Sequence, residues 1–101
     1  MRAEIAGQTI AEATKDELVR IEGNWYFPPA SIREGALTEN DTAYTCPWKG
    51  DAQYFHVHAG EQQLADGAWS YPTPFKTAFD RVGSDFSGFV AFGRGVDVVE
   101  S

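Results

Sequence analysis

Three sets of residues in this chain have types and spacings that could do chemistry. The first is Cys46 and Lys49, which share the run Thr45-Cys46-Pro47-Trp48-Lys49-Gly50. An ammonium held across a tight turn from a thiol favours the thiolate, which makes Cys46 a candidate nucleophile. The competing reading makes Cys46 a small buried hydrophobe and Lys49 a solvated turn residue, whose removal would cost less than about 0.5 kcal/mol. The second reading is preferred, because the sequence places no histidine base or acidic orienter beside the thiol. The next set is His56 and His58. On a strand both project from one face with their Cα atoms roughly 7 Å apart. That suits two ligands of one metal ion. With one cysteine and two histidines in the chain the ligand set is incomplete, so no bound metal is expected, and a half-exposed polar face is the preferred reading. The third set is aromatic: Trp25, Tyr26, Trp48, Tyr54, Trp69 and Tyr71. Their rings and polar tips could line a ligand pocket, or they could fill a core and a subunit interface. Arg33 could add a planar anion-binding fork beside Lys49.

These residues need elements to position them. Pro47 fixes one backbone angle and Gly50 can reach conformations closed to other residues, so 45–50 reads as a rigid turn. It joins a strand over 42–46 to a return strand over 51–58. Alternation puts Ala52, Tyr54, His56 and His58 on one face of that strand, and Gln53, Phe55 and Val57 on the other. Upstream, 2–6 and 9–13 read as a hairpin turning at Gly7-Gln8. A strand over 18–22 turns at Gly23-Asn24 into the aromatic run 25–27, which Pro28-Pro29 stops. One helical turn is expected over 30–34, capped by Gly35. A short strand over 36–38 and a polar turn over 39–41 follow. Downstream, strands over 62–65 and 68–71 flank a turn at Asp66-Gly67. Thr73 is expected to cap a helix beginning at Pro74, with Phe75, Ala78, Phe79 and Val82 at helical spacing and Gly83 ending it. Strands over 89–92 and 96–100 close the chain. The fold class is therefore mainly β: a small antiparallel domain with one or two short helices.

Composition narrows the function classes. The 101 residues suit one domain, and a chain of that length buries roughly two-thirds of its unfolded surface. Aromatics make up 14% of it, and their burial supplies much of the core. The net charge of −7 argues against nucleic acid and against an anionic membrane surface as partners. A single cysteine excludes an internal disulfide. The opening residues carry no apolar signal region, and no run approaches the roughly 20 apolar residues of a membrane span. A cytoplasmic location is expected. The small size and rich aromatic content point to uncovered apolar surface, and so to a homodimer.

Tyr26-Phe27-Pro28-Pro29, the Cys-Pro-Trp-Lys-Gly turn followed by Ala52 and Tyr54, and Ala68-Trp69-Ser70-Tyr71-Pro72-Thr73-Pro74 occur in this order. Together they resemble the bacterial and fungal family known as domain of unknown function 427, which has also carried a nucleotidyltransferase-like label. The resemblance spans nearly the whole chain and departs mainly in short loops, such as Glu22-Gly23-Asn24, and in the glycine-rich end. It implies a two-sheet, tent-like β domain and brings no activity or catalytic residues. The nucleotidyltransferase label fits the residues poorly. Such chemistry needs paired carboxylates beside a glycine-rich phosphate turn. Here Gly83-Ser84 is present and Asp97 lies downstream, but the next carboxylate after Asp97, Glu100, falls on the other face of the strand. No phosphate loop or dinucleotide fingerprint is present, and no cofactor is expected. The leading expectation is a domain that binds a small molecule, with anions among the candidates, through Trp48, Lys49, Tyr54, Trp69, Tyr71 and Arg33. In it Trp48 is partly structural and Lys49 faces the site. The alternative is a self-association or protein-interaction module without enzymatic activity.

Overall fold

A computed structural model describes residues 1–100. The chain runs β1 (Arg2–Ile5), β2 (Gln8–Glu12), β3 (Val19–Ile21), β4 (Asn24–Tyr26), β5 (Leu37–Cys46), β6 (Gly50–Ala59), β7 (Gln62–Ser70), α1 (Lys76–Val82), β8 (Val90–Phe92) and β9 (Asp97–Val99). The fold is mainly β, and every strand pairing is antiparallel. Two larger sheets, β2-β1-β9 and β5-β6-β7-β8, are accompanied by the two-stranded ribbon β3-β4. Among the described residues no helix is long and apolar enough to cross a membrane.

The four-stranded sheet is the middle layer, because alternation gives it an apolar pattern on both faces. Phe55, Val57, Ala59, Ala68, Val90 and Phe92 pack on the three-stranded sheet through Ala3, Ile5, Ile10 and Ala11. Ala52, Trp69 and Ala91 point the other way, into a cluster with Ile21 and Tyr26 of the ribbon, Ala78 and Phe79 of α1, and Phe86. The ribbon is tied to the sheet edge by a pair of backbone bonds between Phe27 and Val90, at 2.8 and 2.9 Å.

Four local expectations need correction. The strand over 36–38, the turn over 39–41 and the strand over 42–46 are one strand, β5, with an irregularity between Glu39 and Ala43. Side chains replace the missing ladder bonds there. Asn40 Oδ1 accepts from Thr42 N at 2.9 Å, and Gln53 Nε2 donates to Asn40 O at 3.0 Å. The turn at Asp66-Gly67 is likewise a bulge inside β7, with Asp66 at φ 54°. Gly67 is required by space, since a Cβ there would lie 2.8 Å from Val57 Cγ2. The helical turn over 30–34 is a shorter 3-10 turn, Pro29–Ser31. Ile32 bridges Ala11, and Arg33 N bonds Ile10 O at 2.8 Å, which draws the chain out straight. Finally, Thr73 and Pro74 do not start α1. Phe75 N donates to Lys49 O at 3.0 Å. That bond holds Phe75 extended at the N-cap, so the helix begins at Lys76.

Candidate functional site

The three residues Pro47, Trp48 and Lys49 link β5 to β6 above the Cys46–Gly50 pair. Gly50 takes φ 113°, open to glycine far more than to other residues. The bond from Phe75 N to Lys49 O fastens this link to the segment ahead of α1. The turn is thus held on both sides, with Cys46, Trp48 and Lys49 directed toward the cluster between sheet, ribbon and helix and Pro47 left exposed.

Lys49 is buried, at 5% exposure. The expectation of a solvated turn lysine is overturned, because the fastened turn lays its side chain against the Trp48 and Tyr71 rings. Its ammonium pairs with the Glu22 carboxylate and lies 4.9 Å from the Trp48 ring centroid and 5.1 Å from that of Tyr71. Burying an ammonium costs several kcal/mol unless it is matched. Here the match is one carboxylate plus two ring faces. The pair is lopsided: the lysine side chain is 6% exposed and the glutamate side chain 56%.

The register of the four-stranded sheet sets the rest of the site. Tyr44 lies opposite Ala52, Tyr54 opposite Trp69, and Trp69 opposite Ala91. These residues share one face, on which small alanines alternate with large rings. Tyr54 and Trp69 are 6.1 Å apart between centroids. Trp69 Nε1 donates to Tyr26 Oη at 3.1 Å. Tyr71 continues the row past the end of β7, edge-on to Phe86 at 6.4 Å and tilted against Tyr26 at 6.5 Å.

Burial raises the phenol of Tyr26 above the ordinary 10.0, with the Trp69 hydrogen bond and the Lys49 charge opposing it. Burial also raises Tyr71, and Cys46, Tyr44 and Tyr54 add to the rise. A raised folded-state value means that stability is intact below the unfolded-chain value of about 10 and is lost as pH climbs above it. Alkaline titration followed by tyrosinate absorbance is therefore expected to show two classes. Tyr26 and Tyr71 should ionise only together with the loss of near-ultraviolet circular dichroism. Smooth titration of all four tyrosines in a folded protein would contradict this burial.

Of the sequence-predicted site residues, Trp48, Lys49, Tyr54, Trp69 and Tyr71 lie in or against this one cluster. Cys46 is there too, buried at 5%, while the Lys49 ammonium is engaged by Glu22 and the two rings. Arg33 is elsewhere: its backbone is bound to Ile10 and it is exposed. Trp25 packs toward the opposite core and is covered by Lys15 and Arg20, at 5.7 and 4.7 Å from its centroid. His56 and His58 are half-buried and separately engaged. His56 Nδ1 lies 3.3 Å from Asp66 N, and His58 Nε2 is 2.8 Å from Thr38 Oγ1. Among the described residues no group of three or more histidine, cysteine or acidic side chains could hold a metal ion. Gly83 ends α1 at φ 91°, whereas Asp97 pairs with Glu4 in the three-stranded sheet, so these two do not form a phosphate site.

Two residues of the cluster were not picked out from sequence. Glu22 sits in a two-residue hairpin loop, and Arg81 lies on α1 with its guanidinium 4.3 Å from the Trp48 centroid. Arg81 had a signal, because it directly precedes Val82 of the apolar helix stripe. Glu22 had none, since nothing local ties it to a lysine 27 positions on. An open cleft of about 450 Å³ runs along the β5-β6 hairpin, lined by Asn40, Thr42, Tyr44, Asp51 and Gln53, among others. It reaches Tyr44 and Ala52 on the aromatic face but stops short of Trp48 and Lys49.

A comparison with curated proteins finds no match. A family model described as Domain of unknown function (DUF427) matches residues 1–100. That description assigns no reaction. The chain belongs to the DUF427 family.

Proposed function

We propose that the aromatic face beside the 45–50 turn binds a small anionic molecule. The observation that carries this reading is Lys49, a residue 5% exposed whose ammonium lies against the Trp48 and Tyr71 rings. An ammonium has three donors. The Glu22 carboxylate takes one of them, and ring faces are weak acceptors for the others. A buried cation with spare donors beside an exposed arginine and a row of phenols is suited to holding an anion, with the rings covering its apolar part. The arrangement supports binding; it does not define a reaction.

The test is a titration of the unmodified protein with phosphate, sulfonate and carboxylate compounds, read by melting temperature and tryptophan emission. A ligand at about 100 times its Kd should add about 2.7 kcal/mol, a shift of several degrees for a domain of this size. Emission should change together with melting, because Trp48 and Trp69 line the face. If no anion moves either signal, the reading fails. Sedimentation of the same samples addresses the alternative, self-association. That reading rests on Tyr44 and Phe75, which are 50% and 49% exposed. A dimer without any anion response would favour it.

A further inference from the structure

The Lys49 site holds a carboxylate already, and that carboxylate is the chain's own. Glu22 lies at the tip of the β3-β4 ribbon, where Ile21 pairs with Asn24 across the loop Glu22-Gly23. Both loop residues have positive φ, 52° and 84°. That is the pattern of a tight two-residue turn in which asparagine or glycine is at home and glutamate is not. The backbone alone does not require a function, since Ala6 takes φ 50° in the β1-β2 loop. The side chain is the distinctive part. It is more than half exposed, yet it reaches a lysine that is almost fully buried, and among the described residues Lys49 is its only hydrogen-bond partner. The ammonium is fixed from within by the turn and the rings. The carboxylate arrives from the solvent side, on a ribbon of three-residue strands. The body of the ribbon is held by buried Ile21 and Tyr26 and by the Phe27–Val90 bonds, so an exchange at Lys49 needs only the two-residue tip and the Glu22 side chain to shift.

We propose that Glu22 is a resident stand-in for the carboxylate of a small organic acid, which binds Lys49 in its place when the ribbon tip moves aside. This rests on the reading of the face as an anion site, and it adds the ligand class and the group that competes with it. The exchange is like for like: one oxygen anion leaves the ammonium and another takes its donors, with no change in net buried charge. The Trp48 and Tyr71 rings then flank the acid's hydrocarbon part.

The test is chemical rescue of Glu22→Gln by sodium acetate and sodium benzoate, with sodium chloride at equal ionic strength as the control. Melting temperature and tryptophan emission are followed. Glu22→Gln should melt below the parent, because Lys49 has lost its counter-charge. Acetate or benzoate should restore the melt in a saturable way, with apparent affinity at least about tenfold tighter than for the parent, whose Glu22 competes. Equal response of parent and variant, or no response beyond chloride in Glu22→Gln, overturns the proposal. Adding Lys49→Met to Glu22→Gln should abolish the rescue; a rescue that survives it also overturns the proposal. Should Glu22→Gln not fold, Glu22→Asn, suited to the positive φ, decides by the same criteria. If the parent binds phosphate or sulfonate at Trp48 while Glu22→Gln gains nothing from carboxylates, this inference fails and the broader reading stands. If neither protein binds any anion, both fail.

Discussion

Phe86→Ala is expected to cost about 3–5 kcal/mol, the range for emptying a fully packed aromatic position. Phe86 is 0% exposed and meets three rings edge-on: Tyr26 at 6.3 Å, Tyr71 at 6.4 Å and Phe79 at 5.9 Å between centroids. Its ring meets the ribbon through Tyr26, the helix through Phe79 and the segment after β7 through Tyr71. Collapse around the hole is limited, because Tyr26 is fixed by Trp69 and Tyr71 lies under Lys49. A domain of this size has about 5–15 kcal/mol in total, so the loss would be a large share of it. The melting temperature should fall by roughly 15–30 °C. Phe75→Ala is the control: that ring is 49% exposed, and its removal should stay within about 0.5 kcal/mol. Urea denaturation with an unchanged m-value would assign the difference to the native state. A Phe86→Ala melt within 1 °C or so of the parent would mean that the second core does not close over this residue.

That core also shows what could be read before the structure. The hairpins were legible because turn chemistry is local: Gly7, Gly23 and Gly60 sit where a chain reversal needs positive φ, and β-favouring residues flank them. Two of the three long strands, β5 and β7, were not. Asn40-Asp41 and Asp66-Gly67 carry turn residues, and in isolation they would turn. Side-chain bonds from Gln53 and to Asp66 hold them inside the sheet instead, and those partners are 13 to 26 positions away. The site divides in the same manner. Alternation and the Cys-Pro-Trp-Lys-Gly run brought Trp48, Lys49, Tyr54, Trp69 and Tyr71 into one list. Arg33 was added on residue type alone, and the backbone bond from Arg33 N to Ile10 O puts it with the other sheet. Lys49 was read as exposed because lysines in turns usually are. What reverses that is the bond from Phe75 N to Lys49 O, which folds the far side of the chain over the turn.

The burial of Lys49 leads to an expected result that runs against exposure. Glu22→Gln, at the more exposed residue, should destabilise by about 1–3 kcal/mol, because it leaves a buried ammonium without its counter-charge. The lower part of the range applies to the extent that water can reach the pair through the open glutamate side. Lys49→Met should cost less, under about 1.5 kcal/mol. Methionine fills most of the space of the lysine stem, keeps contact with the Trp48 and Tyr71 rings, and removes the charge that needed matching. Glu22 is then simply a solvated surface carboxylate. The double variant decides the cause. With the ammonium gone, Glu22→Gln has nothing left to unbalance, so Glu22→Gln with Lys49→Met should be about as stable as Lys49→Met alone. The two effects are therefore strongly non-additive, and a double-mutant cycle measures the coupling directly. Additive effects, or a Glu22→Gln variant as stable as the parent, would show that water and the rings already satisfy the ammonium. Glu22 would then be a bystander at a hairpin tip.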